Sequence, residues 1–349
     1  MTNVNLELFA IAVVLGSIST EVMRRVALKL NIVDQPSSRK MQISPIPYLG
    51  GIAVLISFLG CFLVGEVFLE SSIKLNLSFL LIPFILIFLI ALLGLIDDIK
   101  TLNYKSKFAM QVITSIVTGF VISFSEFRAF SFSSNFVNIT LTAFWLVFLM
   151  NSVNFFDNMD GLLSGTVIIS LIAYLLHAAE LEQSLLVLAC ANLMGCLTGF
   201  IFFNFPNARI FLGDTGSLIL GFTLGLITIQ VDFRSQTFLG STILLILPIS
   251  VIVFDTCLVV LFRVLRSVHP ASPGKDHLSH RLMLLGRSKK QAVLEIWLLT
   301  AVCSLASFVL IRFSWLAIFL AIIIFSRLLV VYLKTQKHFS VSLNLHRRR

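Results

Sequence analysis

Long apolar stretches follow one another through most of this chain, with short polar interruptions between them. Hydrophobic residues make up 58% of the sequence and charged residues 12%, about half the charged share of an average soluble domain. A soluble fold could not bury this much apolar surface, whereas about 20 consecutive apolar residues form a helix that crosses a bilayer. The sequence therefore predicts an all-α integral membrane protein, with residues 1–349 forming one polytopic domain.

The predicted number of membrane-spanning helices is about eleven (10–11), because the fifth stretch runs into a polar motif and the eighth is short. Of the 26 Lys and Arg residues, 21 fall on one side of this arrangement. Basic loops are retained in the cytoplasm, so we predict that this side is cytoplasmic, with the N-terminus outside and the C-terminus inside. The predicted spans are residues 5–23, 48–69, 78–96, 107–125, 139–155, 162–178, 184–203, 216–230, 238–262, 291–311 and 315–333.

Eight of the nine aspartates also lie on the basic side, each near the end of an apolar stretch. A carboxylate close to lipid is costly to keep, so a group of them on one face favours a functional role. Mg²⁺ binds oxygen ligands and often joins carboxylates to phosphates, so the pattern predicts a metal site at the cytoplasmic face. The eight are Asp34, Asp97, Asp98, Asp157, Asp160, Asp214, Asp255 and Asp276.

The first two cytoplasmic loops combine basic and acidic residues. Arg39 and Lys40 either meet phosphate or only anchor the chain by their positive charge. Asp97 and Asp98 are adjacent at a helix C-terminus, where the helix dipole disfavours negative charge. Either a cation neutralises this pair or the two residues form a solvated helix end. The predicted cytoplasmic loops cover about residues 24–47, 97–107, 151–161, 204–216 and 263–290.

The third loop carries a polar stripe. Asn151, Asn154, Asp157 and Asp160 are spaced three residues apart, which places them along one face of a helix. A membrane helix gains from such a stripe when it lines a wet cavity. A hydrogen bond to a neighbouring helix is the alternative for a single Asn, but it does not explain all four residues.

The fourth loop contains groups suited to a nucleotide base. Asn204 could hydrogen-bond a base and Phe211 could stack on one, while glycines beside Asp214 let the backbone approach a ligand. Capping of the next helix by Asp214 or Ser217 is the alternative, and it explains only some of the residues in this loop.

The fifth loop contains two histidines three residues apart, His277 and His280, beside Lys275 and Arg281. A zinc site would need further ligands that this loop does not contain. The neighbouring positive charges instead favour the recognition of phosphate.

In this order, the five loops resemble those of the polyprenyl-phosphate N-acetylhexosamine-1-phosphate transferase family, in its simple amino-sugar branch. The resemblance runs from about Asp34 to Leu282. It implies transfer of a sugar-1-phosphate, GlcNAc-1-phosphate by default, from a UDP-amino sugar to undecaprenyl phosphate, with release of UMP. FucNAc, QuiNAc and GalNAc donors stay open, and so does the final polymer: O-antigen, teichoic acid or capsule.

The resemblance also implies the setting of the reaction. It places the protein in the bacterial cytoplasmic (inner) membrane, in contact with lipid, with Mg²⁺ or Mn²⁺ as the cofactor. Family members can dimerise, so a homodimer is one expected assembly. Nucleic acid is not an expected partner, because the basic residues are spread over many loops.

For the reacting groups, the resemblance implies one role each. Asp97 would be the base that deprotonates the acceptor phosphate, and Asp98 would be its partner and a metal ligand. Asp214 would be the principal Mg²⁺ ligand. His277 and His280 would hold the pyrophosphate or complete the site.

Other residues are implied to bind substrate or to assist catalysis. Asp157 would act in catalysis beside the nucleotide, and Asp160 would contact the uracil. The remaining substrate-binding candidates are Arg39, Lys40, Lys107, Asn151, Asn154, Asn204, Phe211 and Arg281.

Four positions depart from the family pattern: Gln42 and Ser279 stand where His is common, Tyr48 where Arg is common, and Asn158 where Gly is usual. The departures motivate one rival hypothesis, a non-catalytic relative that serves as a membrane partner. A secondary transporter is the other rival. Transporters keep their substrate sites near the middle of the bilayer, whereas this chain concentrates polar residues at one face.

Overall fold

The computed structural model of the protein describes residues 3–35, 45–68, 77–123, 134–231, 238–272, 274–312, 319 and 322–336. Within these residues the fold is helical apart from two very short strands, in agreement with the predicted all-α class. The helices are α1 (Asn3–Lys29), α2 (Gly50–Phe68), α3 (Leu77–Lys100), α4 (Tyr104–Ser123), α5 (Asn135–Phe156), α6 (Leu162–Glu180), α7 (Ser184–Asn204), α8 (Gly213–Gln230), α9 (Phe238–Ile246), α10 (Ser250–Leu265), α11 (Leu278–Leu284), α12 (Lys289–Arg312) and α13 (residues 322–336).

Eight helical segments in the described part of the chain are long and apolar enough to cross a membrane. The outer surface carries large apolar side chains, such as Phe136, which is 77% exposed, and Phe144, which is 66% exposed. Such a surface suits lipid rather than water, and the protein is a multi-pass membrane protein. The eight segments are Leu6–Lys29, Leu81–Lys100, Tyr104–Ser123, Asn135–Phe156, Leu162–Glu180, Ser184–Asn204, Gly240–Leu265 and Lys289–Val309.

Each of the eleven predicted spans overlaps a helix, but in three of these helices the residues whose side chains the structure describes do not meet the same criteria of length and hydropathy. They are α2, α8 and α13, which stay predictions as membrane crossings. For α8 the reason is visible in the packing: every residue from Thr215 to Ile229 is buried. A helix surrounded by protein does not need a strongly apolar, lipid-facing surface, so its Thr and Gly residues lower its hydropathy without cost.

The helix α8 forms the centre of the bundle and packs against α3 and α5. At Gly221 a Cβ atom would lie 2.6 Å from the Cα atom of Met150, so the absence of a side chain lets α5 approach closely. The indole of Trp145 donates to the hydroxyl of Thr228 at 2.8 Å further along the same pair. Residues later in α8 contact residues earlier in α5, so the two helices are antiparallel. The end of α5 therefore meets the start of α8.

Two loops are joined beside this centre. The strands β1 (Val33–Asp34) and β2 (Ile46–Pro47) pair antiparallel across the first loop. The carbonyl of Pro47 accepts a hydrogen bond from the amide of Phe211 at 2.8 Å, and the amide of Gly50 donates to the carbonyl of Phe211 at 3.0 Å. The first and fourth loops of the predicted cytoplasmic side thus lie together at the start of α8.

Candidate active site at the ends of α3, α5 and α8

Four of the predicted site residues, from four different helices, are in direct contact. The ammonium of Lys107 lies 2.8 Å from Oδ2 of Asp97 and 3.1 Å from Oδ2 of Asp214. The side-chain amide of Asn154 donates to Oδ1 of Asp214 at 2.5 Å and to the hydroxyl of Ser217 at 2.8 Å. We call Asp97, Lys107, Asn154 and Asp214 the carboxylate cluster. It brings two acids and a positive charge together where α3, α4, α5 and α8 meet.

The neighbouring Asp98 has a different set of partners. Its Oδ1 accepts from the amide of Asp214 at 2.7 Å, and its Oδ2 accepts from the amide and hydroxyl of Thr215 at 3.0 and 2.6 Å. Asp98 therefore caps the N-terminus of α8 from another helix. The positive end of the α8 dipole compensates for the position of this acid at the end of α3. Both oxygens of this predicted metal ligand are used for the cap.

A glycine makes this cap possible. Gly213 has a φ of +72°, in the left-handed region. A Cβ atom on it would lie 2.6 Å from Oδ2 of Asp98 and 2.8 Å from the carbonyl oxygen of Tyr48. Only glycine combines this backbone conformation with such close neighbours.

The donor chemistry of the carboxylate cluster suits a hard divalent cation, which binds carboxylate oxygens. Asp97 and Asp214 could hold such an ion, because their Oδ2 atoms already face one shared positive charge, the Lys107 ammonium. No three acidic, His or Cys side chains among the described residues form a ready-made metal-binding group. A cation held here would therefore need further oxygen ligands from water or from a phosphate.

The carboxyls of Asp214 and Asp157 have raised pKa values. Burial, together with a hydrogen bond shared with Asp97, raises the pKa of Asp214. Burial also raises the pKa of Asp157 to about 7, and the negative charges of Asp214, Asp160 and Asp98 add to this effect. A carboxyl that exchanges a proton near neutral pH is a candidate for proton transfer.

The other residues of the predicted polar stripe face different partners. The amide of Asn151 donates to Oε1 of Gln111 on α4 at 2.8 Å, which is the helix–helix hydrogen bond named above as the alternative. Asp160 accepts from the ammonium of Lys289 at 2.6 Å and from the amide of Ala208 at 3.2 Å. Within the stripe, then, Asn154 alone joins the carboxylate cluster directly among the contacts that the structure describes.

The two predicted base-binding residues differ in their surroundings. Asn204 is buried, accepts from the amide of Gly161 at 2.8 Å and donates to the carbonyl of Ile210 at 2.9 Å. It fastens the third loop to the fourth loop, and this use of its amide was not predicted. Phe211 is half-buried, so part of its ring is accessible. Arg39 and Lys40, the predicted phosphate contacts of the first loop, lie outside the described residues, as does Gln42.

The fifth predicted loop, residues 263–290, contains His277 and His280, and we call it the histidine loop. It lies against the end of α5. The Nδ1 atom of His277 is 2.9 Å from Oδ2 of Asp255, and its ring meets that of Phe155 edge to face at 6.3 Å. Burial is the main cause that lowers the pKa of His280 to about 4, and the nearby His277 and Lys275 contribute to this shift. His280 is therefore neutral at pH 7.

The prediction that Arg281 binds substrate is not supported by its position. Its side chain is 0% exposed, donates to the carbonyl of Asp276 at 2.6 Å, and reaches α13 at the carbonyl of Tyr332 and the hydroxyl of Thr335, at 3.0 and 2.8 Å. It also stacks over the ring of Tyr332, 4.0 Å from the centroid. Arg281 anchors the histidine loop from inside the protein, because its guanidinium is bound to α13 rather than facing a phosphate.

Two departures from the family pattern are in contact. The hydroxyl of Ser279 donates to Oδ1 of Asn158 at 2.5 Å, which links the histidine loop to the residues that follow α5. Of the other two, Tyr48 donates from its hydroxyl to Oδ1 of Asp34 at 3.2 Å.

The sequence reasoning missed two residues that the structure brings to the site. Lys289 was counted only as a positive charge of the cytoplasmic side, although it pairs with Asp160. Asp255 was noted only as an acid near the end of a span. The signal that could have found it is its position as a buried carboxylate one helix before a histidine loop.

Comparison with known proteins agrees with this arrangement. The profile of glycosyl transferase family 4 matches residues 80–232, which include all four residues of the carboxylate cluster. A probable undecaprenyl-phosphate N-acetylglucosaminyl 1-phosphate transferase of Bacillus subtilis is 31% identical over 322 residues, covering 90% of this chain and 88% of that protein. A decaprenyl-phosphate N-acetylglucosaminephosphotransferase of Mycolicibacterium smegmatis is 29% identical, covering 82% of this chain and 77% of that protein.

A more distant branch also matches. A phospho-N-acetylmuramoyl-pentapeptide-transferase of Listeria monocytogenes is 33% identical over 244 residues, covering 64% of this chain and 74% of that protein. The match to the Bacillus subtilis protein extends over nearly the whole of both chains. This chain therefore belongs to glycosyl transferase family 4, the family of the polyprenyl-phosphate sugar-1-phosphate transferases.

Proposed function

We propose that the protein transfers N-acetylhexosamine-1-phosphate, with GlcNAc-1-phosphate as the first donor group to test, from a UDP-sugar to undecaprenyl phosphate. The products are undecaprenyl-diphosphate-sugar and UMP. This reaction would start the synthesis of a cell-envelope glycan such as O-antigen, teichoic acid or capsule. The names of the Bacillus subtilis and Mycolicibacterium smegmatis relatives support the lipid acceptor and the GlcNAc group.

The carboxylate cluster is the observation that carries this proposal. Asp97 and Asp214 converge on one ammonium within 3.1 Å although they come from separate helices. Two anionic reactants, a lipid phosphate and a nucleotide diphosphate, repel each other and need positive charge between them. Mg²⁺ bound to Asp214 would supply such charge and would stabilise the charge that develops on the leaving phosphate.

The side chains of the protein have separate tasks in this proposal. Asp97 is 8% exposed and lies at the cluster, where it could accept the proton of the acceptor phosphate. Lys107 would hold the phosphate oxygens by charge, and Asn154 keeps the Asp214 carboxylate oriented through its amide. Holding both reactants at one membrane face also supplies their relative orientation.

The proposal places the site at the cytoplasmic face of the bacterial inner membrane. The distribution of Lys and Arg supports this orientation, with the N-terminus outside, the C-terminus inside and eleven crossings. A homodimer is part of the proposal only as an expected assembly, and the mass of the purified protein in detergent would test it.

The test is a donor panel with purified protein and undecaprenyl phosphate. We expect release of UMP with Mg²⁺ or Mn²⁺, loss of this activity in EDTA and its return when the metal is restored. UDP-GlcNAc, UDP-GalNAc, UDP-FucNAc and UDP-QuiNAc are compared, and mass spectrometry identifies the lipid product. The absence of UMP with every donor, from folded protein, would refute the proposed reaction.

Variants connect the activity to the cluster. Asp97→Asn and Asp214→Asn are expected to lower UMP release by about 100-fold or more, because each removes charge at the reacting groups. Glu21→Gln is the matched control, since it makes the same chemical change at an acid that pairs with Arg24 and Arg25 on α1. Its activity should stay near that of the unaltered protein.

A further inference from the structure

A buried carboxylate lies at the centre of a polar network beneath the histidine loop. Asp255 on α10 is 1% exposed. Its Oδ2 atom is 2.9 Å from Nδ1 of His277, and its Oδ1 atom accepts from the amide of Leu278 at 2.6 Å and from the hydroxyl of Tyr332. One carboxylate thus binds the loop through both a side chain and the backbone.

These contacts place a hydrogen on one nitrogen of the histidine ring. A carboxylate accepts hydrogen bonds and does not donate them, so the hydrogen of the contact must be on Nδ1 of His277. The other ring nitrogen, Nε2, is then the atom that this histidine can offer to another group. A buried partner of this kind fixes both the tautomer and the orientation of an imidazole.

The Asp255 carboxylate is itself part of a network of buried side chains. Tyr332 belongs to α13, and the buried Arg281 binds α13 and the carbonyl of Asp276. Asp276 in turn accepts two hydrogen bonds from the guanidinium of Arg263 on α10, at 2.6 and 3.1 Å. Three elements, α10, α11 and α13, therefore fix the position of the His277 ring.

The ring lies at the same end of α5 as the carboxylate cluster. It contacts Phe155 edge to face, and the preceding residue, Asn154, donates to Asp214. The hydroxyl of Ser279, two residues after His277, donates to Asn158, which lies just beyond the end of α5. The histidine loop and the carboxylate cluster are thus fastened to one helix end.

We propose that Asp255 is a positioning residue of this active site: it accepts the Nδ1 hydrogen of His277 and directs Nε2 at a substrate phosphate, to whose oxygen the doubly protonated ring donates a hydrogen bond. The inference rests on the proposed function, because the phosphate is that of the UDP-sugar or of the lipid acceptor. Asp255 does not touch substrate and acts through His277.

The first test is a set of variants assayed for UMP release. Asp255→Asn keeps the shape of the side chain, but its amide can donate to Nδ1 and so favours the opposite tautomer. We expect kcat/KM to fall about 10- to 100-fold, within the range that one acid–base or positioning group contributes. Tyr332→Phe removes another contact of the same carboxylate and keeps the His277 contact, so its loss of kcat/KM should be smaller than that of Asp255→Asn by about threefold or more.

A double variant separates positioning from general damage. In a His277→Gln protein, Asp255→Asn should cause less than about a twofold further loss, because residues that act as one unit are not additive. An additive loss, or an equal loss in Tyr332→Phe, would overturn the inference. These comparisons require an unaltered protein that releases UMP; if it releases none, the proposed function fails first and by a different observation.

The second test does not depend on activity. The chain contains six histidines, and ¹⁵N-histidine NMR of the protein in detergent distinguishes the two neutral tautomers of each ring. The signal lost in His277→Gln identifies His277. We expect a protonated Nδ1 in the unaltered protein and in Tyr332→Phe, and a change of the protonated nitrogen in Asp255→Asn. An Nε2–H tautomer in the unaltered protein would overturn the inference.

Discussion

Two adjacent aspartates at the end of α3 perform different tasks. Asp97 shares an ammonium with Asp214, whereas Asp98 accepts three hydrogen bonds from the first residues of α8. In the sequence the two acids are equivalent, because nothing in it shows that the start of α8 lies beside the second one. The sequence predicted both as site residues. Only the tertiary contacts show that Asp97 belongs to the carboxylate cluster and that Asp98 caps α8.

This difference gives a prediction about stability. Asp98→Asn should lower the free energy of unfolding by about 1–3 kcal/mol, because an amide group cannot accept all three hydrogen bonds and the α8 dipole loses a charge. Asp97→Asn is the matched control: its oxygen can still accept from the amide of Leu102, so activity falls more than stability. Denaturant unfolding in detergent and UMP release measure the two effects. Equal losses of stability would contradict the assignment of the cap to Asp98.

The contact between Ser279 and Asn158 gives a second prediction. Asn158→Ala and Ser279→Ala should each reduce activity, and the double variant should lose little more than either single variant. The coupling free energy should be about 0.5–1.5 kcal/mol, the usual contribution of one hydrogen bond. A double-mutant cycle on kcat/KM measures it. Fully additive losses would show that the two departures from the family pattern act independently.

At the scale of elements, the end of α5 organises the site. Near this end, Asn154 contacts α8, and just beyond it Asn158 contacts the histidine loop and Asp160 contacts the start of α12. The sequence predicted a stripe of Asn151, Asn154, Asp157 and Asp160 along one helix face, but α5 ends at Phe156, so Asp157 and Asp160 lie beyond the helix. It could not predict their partners, which belong to elements that are distant in the chain.

The histidine loop shows the limit of the sequence most clearly. A basic residue beside two histidines suggests phosphate recognition, yet Arg281 is fully buried against Tyr332 of α13. An arginine can bind a phosphate or anchor a loop, and the role of Arg281 depends on where α13 packs. Asn204 is a similar case, since its amide joins two loops in place of the predicted base.

The helix α11 carries a prediction about pH. The folded-state pKa of His280 is about 4, below its ordinary value of 6.5, and burial is the main cause. The neutral imidazole is favoured in the folded state, so its contribution to stability is complete above pH 6.5 and is lost as the pH falls from 6.5 towards 4. Thermal unfolding in detergent should show this fall, and it should be smaller in His280→Gln. An unchanged pH dependence in that variant would assign the effect to another group.

At the scale of the whole molecule, burial explains why α8 has a lower hydropathy than the eight segments that qualify as membrane spans. The helix α8 is surrounded by protein from Thr215 to Ile229, so it can contain residues that a lipid-facing helix avoids. Its glycines then let neighbouring helices come close, as at Gly221. The small residues that lower the hydropathy of α8 therefore also let α5 pack closely beside the candidate active site.

The number of crossings determines where the two ends of the chain lie, and this gives the last prediction. The eight segments that qualify by length and hydropathy would leave both ends on one side, whereas eleven crossings place them on opposite sides. We predict eleven, so a fluorescent protein fused to the C-terminus should fluoresce in the cytoplasm, and an N-terminal epitope should be cleaved by protease added outside spheroplasts. For α8, a phosphatase fused in the predicted external loop 231–237 should be active, and one fused in loop 204–216 should be inactive. Equal activities at these two loops would show that α8 does not cross the membrane, and the carboxylate cluster would then have to be reached from a differently oriented bundle.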